Sequence, residues 1–186
     1  MIITLTGFMG CGKSSVGRCL SELLCCPFMD LDAVIEESQG RSIPEIFAAE
    51  GEAAFRQMEV EALSRIIEAQ QLRGSTVSYP SATGTANYDK VVVALGGGAV
   101  MTPKCAELVK EKTHCIYLRA SVDTLVSHLE NEVSGRPMLQ GASLRSRIEE
   151  LMALRSATYE ATAHDVIDTD GKTVEEIADS LLHRGA

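Results

Sequence analysis

Met1-Ile2-Ile3-Thr4-Leu5-Thr6-Gly7-Phe8-Met9-Gly10-Cys11-Gly12-Lys13-Ser14 decides the fold of this chain. Residues 7–14 fit G-x-x-x-x-G-K-[ST], the phosphate-binding P-loop. The stretch before it is short, apolar and β-branched, as a buried parallel strand is. Beyond it, Val16, Cys19, Leu20, Leu23 and Leu24 recur at the spacing of an amphipathic helix. A strand that feeds a glycine loop opening a helix builds an anion cradle from backbone N–H groups and the helix N-terminus. A glycine-rich turn with a stray lysine would need neither the strand nor the helix. The expected nucleotide-binding residues are Gly10, Cys11, Gly12, Lys13, Ser14 and Ser15. Lys13 is placed to reach the β- and γ-phosphates, and the Ser14 hydroxyl to ligate Mg2+. A nucleoside triphosphate is the expected ligand.

The 186 residues suit one domain, 1–186, with a sizeable core. With 45% hydrophobic and 23% charged residues, the composition is that of a soluble globular protein. A net charge of −9 argues against broad nucleic-acid binding, which needs a basic stripe. An acidic enzyme still binds anions where a few arginines converge. No apolar run approaches the roughly 20 residues that span a bilayer. The chain enters its first strand within a residue or two of Met1, which leaves no room for a signal peptide. A cytoplasmic protein with no membrane partner is therefore expected. The six cysteines show no CxxC pair and no zinc spacing, so they read as buried, reduced thiols. Cys11 is the exception: beside Lys13 its thiol is expected to be activated, and its alkylation to block nucleotide binding.

Strand and helix alternate along the rest of the chain, which argues a parallel α/β sheet. Pro27-Phe28-Met29 reads as a second strand ending at Asp30-Leu31-Asp32, and the helix after it stops at Gly40. Ser42-Ile43-Pro44-Glu45 is a capping box with proline in the first turn, opening a helix through Ala49. Residues 52–71 form a long helix. Val91 to Leu95 is a buried strand that runs into Gly96-Gly97-Gly98. Further strands are read at His114–Leu118 and Asp165–Asp168, and further helices from Thr102-Pro103, from Ser121, over Leu144–Thr162, and from the capping box Thr173–Glu176. Residues 72–89 are Ser/Thr/Gly-rich without periodicity and read as an inserted surface loop. Residues 131–143 are polar, carry Arg136 between Gly135 and Gly141, and suit a closing lid.

A P-loop serves kinases and GTPases alike. No N-K-x-D or D-x-x-G pattern supports a GTPase, since neither Asn87 nor Asn131 precedes lysine. Phosphoryl transfer to a small acceptor needs a carboxylate for the hydroxyl, cations on the phosphoryl, and exclusion of water. Asp30 and Asp32 alternate at the carboxyl end of the second strand, where ligands collect in such sheets. From there one can face a metal and the other an acceptor, although spacing alone also allows two solvated strand-end residues. Arg56 and Glu59 share a helix face and by spacing alone suit a surface pair equally well. Three glycines after a buried strand imply backbone that comes close to something. Arg155 by itself reads as a helix-surface arginine.

The set as a whole resembles the shikimate kinases, small P-loop enzymes like the nucleoside monophosphate kinases. The pieces stand in that family's order: GFMGCGKSS, F-x-D-x-D at Phe28–Asp32, S-I-x-E-I-F at Ser42–Phe47, G-E-x-x-F-R-x-x-E at Gly51–Glu59 and A-L-G-G-G at Ala94–Gly98. R-P-M-L at Arg136–Leu139 and L-R-x-x-x-Y-x-x-x-A at Leu154–Ala163 complete it. The resemblance implies ATP-dependent phosphorylation of the shikimate 3-hydroxyl, with Mg2+. It implies a three-layer P-loop kinase fold whose five-stranded parallel sheet runs 2-3-1-4-5, with a substrate-binding segment at about 32–62. Lys13, Asp32 and Arg136 would be catalytic, with Asp32 orienting the attacking hydroxyl and Arg136 stabilising the transferring phosphoryl. Arg56 and Arg155 would hold the substrate carboxylate. Gly97 would offer its N–H to a hydroxyl, Glu59 would hold Arg56, and Ser14 and Asp30 would serve the metal, Asp30 through water. The chain is expected to act as a monomer.

Three departures accompany the resemblance. The 72–89 insertion is longer than usual in that family. Leu129-Glu130-Asn131-Glu132 and Thr169-Asp170-Gly171-Lys172 stand where the family often has adenine-contacting arginines. A gluconate-kinase-like enzyme and an idle nucleotide-binding switch are the alternatives, and a nucleoside monophosphate kinase lacks evident base-binding elements.

Overall fold

The computed structural model describes residues 1–72, 89–130 and 143–184. Most of the 72–89 insertion and the 131–143 lid, including Arg136, lie outside the described residues. The elements run β1 (Ile2–Thr6), α1 (Lys13–Leu23), β2 (Phe28–Asp30), α2 (Leu31–Gln39) and α3 (Ile43–Gln71). After β3 (Val91–Ala94) come a 3-10 turn (Ala99–Met101), α4 (Pro103–Lys112), β4 (His114–Arg119), α5 (Val122–Leu129), α6 (Leu144–Thr162), β5 (Asp165–Asp168) and α7 (Val174–His183).

All pairings are parallel and the five strands order β2-β3-β1-β4-β5, as the resemblance implies. Register sets Ile2 beside Val91 and Ile3 beside His114. Both sheet faces are covered, so the strands are apolar throughout and alternate residues feed two separate cores. Ile2, Val91, Val93 and Tyr117 pack beneath α2, α3 and α4 with Ile35, Leu63 and Val109. Ile3, Leu5, Val92 and Ile116 pack against α1, α5 and α7 with Leu20, Leu125 and Leu181. Helix α6 reaches both cores, through Ile148 and Leu151 on one side and Tyr159 on the other.

Local signals explain where the helices begin and end. Gly40 ends α2 at a φ of 61°, in the left-handed region where glycine has no Cβ clash. Both capping boxes form: Ser42 with Glu45, and Thr173 with Glu176. The two helices read over 43–49 and 52–71 run together as α3, with a break at Gly51, whose φ is 80° and ψ 177°. One boundary differs in a way that matters. Asp32 is not at a strand end: β2 stops at Asp30, which caps α2 by accepting the Asp32 N–H, so Asp32 sits in a helical first turn. Among the described residues no helix is long and apolar enough to cross a membrane.

Candidate active site

The site lies at the carboxyl ends of β2, β3 and β1, three neighbouring strands, where an open α/β sheet gathers its ligands. Behind β1 the P-loop wraps back on itself. Lys13 is 8% exposed, and its ammonium donates to the Gly7 and Phe8 carbonyls at 3.0 and 2.9 Å. A phosphate would offer the ammonium a charged partner in place of these neutral carbonyls. Gly12, at a φ of 95°, turns the chain into α1. The Ser14 hydroxyl donates to Asp30 Oδ2 at 2.6 Å, while Asp30 Oδ1 accepts the Asp32 N–H at 3.1 Å. A hydroxyl and a carboxylate in contact are the hard oxygen donors that suit Mg2+.

Cys11 lies beside Lys13 as expected, the ammonium donating to its sulfur at 3.9 Å, but the thiol is not open to solvent. The Cys11 side chain is 3% exposed and faces Gly7, where an added Cβ would stand 2.9 Å from its sulfur. A thiol turned into the core is shielded from alkylating reagents. All six cysteines are free, and burial pushes the Cys105 and Cys115 thiols up to about 12, as inert core residues.

Beside the P-loop opens a cleft of about 220 Å3, lined by Met9, Asp32, Arg56, Glu59, Arg155 and all three glycines of Gly96–Gly98. Each glycine leaves room for a functional group. A Cβ on Gly96 would lie 2.5 Å from Glu59 Oε1 and 2.7 Å from Asp32 Oδ1. A Cβ on Gly98 would lie 2.4 Å from Arg56 Nη2, and one on Gly97 would lie 3.0 Å from the Met9 N–H nitrogen. The triple glycine is thus the floor on which the acid and base groups converge.

Among the described residues, Asp32 Oδ1 is buried without a hydrogen-bond partner, as is Glu59 Oε1. A buried carboxylate oxygen without a partner is costly, and a ligand hydroxyl or water aimed at it relieves that cost. Burial, then the charge of Asp30, raise the Asp32 carboxyl above its ordinary value, while Lys13 and Arg56 pull it back. Glu59 is fully buried, and burial pushes it up to about 7 against the opposing pull of Arg56. Arg56 donates to Glu59 at 2.6 Å and to Glu52 at 2.9 Å, so its fork is held by two carboxylates on the same face of α3. The pair is therefore no surface ornament.

Arg155 is likewise not on the helix surface. It is 6% exposed, its guanidinium lies 5.9 Å from the Phe8 ring centre, and Nη1 donates to the Gly97 carbonyl at 3.3 Å. One turn further along α6, the Tyr159 hydroxyl donates to the same carbonyl. Asp32, Arg56, Glu59, Gly97 and Arg155 are thus brought together, beside Lys13, Ser14 and Asp30. The sequence reading gives no role to Glu36, nor to Glu52, Phe47, Phe55 and Tyr159, four residues that stand inside the quoted family motifs. Phe47 and Phe55 form an aromatic wall with ring centres 4.9 Å apart, and Glu36 also lines the cleft. Tyr159 had a signal, its i, i+4 spacing from Arg155.

Known proteins resemble this chain over nearly its whole length. The shikimate kinase family model matches residues 9–79 and 82–185. The shikimate kinase of Salinibacter ruber is 39% identical over 190 residues, covering 98% of this chain and 83% of that one. That of Zymomonas mobilis is 38% identical over 180 residues, covering 97% and 90%. Among solved structures, shikimate kinase from Acinetobacter baumannii in complex with shikimate superposes with a TM-score of 0.83 at 30% identity, covering 98% of this chain and 91% of that one. The Bacteroides thetaiotaomicron shikimate kinase gives 0.80 at 27%, covering 99% and 97%. P-loop, glycine floor, paired arginines and nearly full-length similarity agree: the chain belongs to the shikimate kinase family.

Proposed function

We propose that this chain transfers the γ-phosphoryl of ATP to the 3-hydroxyl of shikimate. The observation that carries the reading is one cleft that opens against P-loop residue Met9 and presents Asp32, Arg56 and Arg155 together. A carboxylate for a hydroxyl and two guanidinium groups for a carboxylate fit a small hydroxy acid. That acid would be held where the phosphate cradle ends.

In this reading Arg56 and Arg155 clamp the substrate carboxylate, and Glu59 and Glu52 keep Arg56 from collapsing onto it from the wrong side. Asp32 Oδ1 takes the substrate hydroxyl as its missing partner, orients it for in-line attack, and accepts its proton. Such proton transfer contributes about 10²- to 10⁴-fold. Lys13 leaves the Gly7 and Phe8 carbonyls for the phosphates and carries positive charge to the developing oxyanions. Ser14 and Asp30 would hold Mg2+, which when bound supplies charge neutralisation on the phosphates. Arg136 would add a cation to the same phosphoryl group. The chain acts as one kinase domain, a monomer in the cytoplasm.

Asp32→Asn tests the reading. The amide keeps the shape and loses the base, so kcat should fall by roughly 10²-fold or more while the shikimate KM changes little. Turnover near that of the unmutated enzyme would contradict the role given to Asp32.

A further inference from the structure

The last turn of α5 packs against the phosphate loop, on the side away from the acceptor cleft. There His128 Nδ1 lies 2.8 Å from the Gly10 carbonyl oxygen. A carbonyl only accepts, so Nδ1 carries the proton and the imidazole is the donor. The next residue grips the same glycine by packing: a Cβ on Gly10 would stand 2.8 Å from Leu129 Cγ, and Leu129 is fully buried. Gly10 itself sits at a φ of 80°. Two successive side chains of one helix thus hold a single loop residue, one by a hydrogen bond and one by contact.

The consequence follows from peptide geometry. The carbonyl of Gly10 and the N–H of Cys11 lie at opposite edges of one rigid trans plane. A carbonyl drawn out toward His128 turns the Cys11 N–H toward the inside of the loop. Inside, that N–H donates to the Phe8 carbonyl at 3.2 Å, the oxygen that also accepts from the Lys13 ammonium at 2.9 Å. Two donors therefore share one neutral acceptor, the Phe8 carbonyl.

We propose that His128 is a positioning residue for nucleotide binding: its Nδ1–H fixes the Gly10–Cys11 peptide so that the Cys11 N–H faces the phosphates. The inference rests on the nucleotide-binding reading given above. Without the donor, the Gly10 carbonyl turns to water, the peptide plane keeps only the long Cys11–Phe8 bond, and part of the binding energy goes into ordering it. His128 escapes sequence motifs because its partner is 118 residues away.

Calorimetric titration with Mg2+–ADP, on the full chain and two variants, tests it. His128→Ala should weaken ADP binding roughly five- to tenfold, the worth of one neutral hydrogen bond. The shikimate KM should stay within about twofold and the melting temperature should not move. His128→Asn, whose carboxamide N–H stands at the same distance along the side chain as Nδ1, should bind ADP within about twofold of the unmutated chain. Unchanged ADP affinity in His128→Ala overturns the proposal. Equal loss in both variants, or a loss shared by shikimate with a lowered melting temperature, overturns it too. Failure of the unmutated chain to bind ADP is a different result: it removes the nucleotide reading, and this inference with it.

Discussion

Gly98→Ala adds one methyl group aimed at Arg56 and nothing else. The φ of Gly98 is −120°, open to any residue, so the substitution brings no backbone strain. The new Cβ would stand 2.4 Å from Arg56 Nη2 and 2.8 Å from Cζ, against an ordinary contact of at least 3.4 Å, so the guanidinium must retreat by about 1 Å. It has little room, because Glu59 holds Nη1 at 2.6 Å and Glu52 holds Nη2 at 2.9 Å. Moving it that far takes the Glu59 bond beyond hydrogen-bonding range. A hydrogen bond to a charged group is worth about 1.5–3 kcal/mol, so the shikimate KM should rise by roughly 10- to 150-fold. Lys13 lies outside the disturbed contact, so the ATP KM should stay within about twofold. The assay is initial rate against shikimate at saturating Mg2+–ATP. A double-mutant cycle adds a sharper check, since Gly98→Ala in an Arg56→Ala background should cost almost nothing more. A folded Gly98→Ala variant with an unchanged shikimate KM would refute the reasoning, and so would full additivity with Arg56→Ala.

Two further expectations concern the buried groups around the cleft. Glu59 titrates at about 7 in the folded chain against 4.5 unfolded, so between those values the folded state holds a proton that the unfolded state has lost. Its stabilisation is complete below about pH 4.5 and is lost as pH rises to about 7, at most roughly 3 kcal/mol. Glu59→Gln should remove that slope from urea midpoints measured across the range, and parallel curves for the two proteins would contradict the burial argument. Tyr159→Phe keeps the ring, which stacks on Tyr117 at 5.1 Å between centres, and deletes the bond to the Gly97 carbonyl. A loss of about 1 kcal/mol is expected, seen as a melting temperature lower by a few degrees; no change would mean that Arg155 already satisfies that carbonyl.

Much of the fold was legible because its signals are local. The limits of α6 and β5 follow from periodicity and punctuation, and the two capping boxes from four-residue patterns. The P-loop is legible for the same reason, since strand, loop and helix are contiguous. Side-chain destination is a different matter. An i, i+3 spacing puts Arg56 and Glu59 on one face but cannot say that the face turns inward, so only the family resemblance pointed to their role. The three glycines announced a close approach, and the structure supplies the groups that approach: Glu59, Asp32 and Arg56 side chains, and the Met9 backbone. Alternation places Asp32 on a strand, whereas the Asp30 cap starts the helix at Leu31, two residues earlier than alternation suggests. Cys11 does lie 3.9 Å from the Lys13 ammonium, as its place in the sequence suggests, but no local pattern tells that the thiol is buried against Gly7. His128 acts on a backbone carbonyl 118 residues away, which no local pattern encodes, whereas Tyr159, whose partner is 62 residues away, is marked by its spacing from Arg155.

The most direct test of the account is ADP release from Mg2+–ATP with shikimate, gluconate, nucleoside monophosphates or no acceptor. A rate that appears with shikimate and stays at background with the others is the expected result. Equal slow release with and without an acceptor would contradict it, because water would then be reaching a phosphoryl group that the cleft is said to reserve for shikimate.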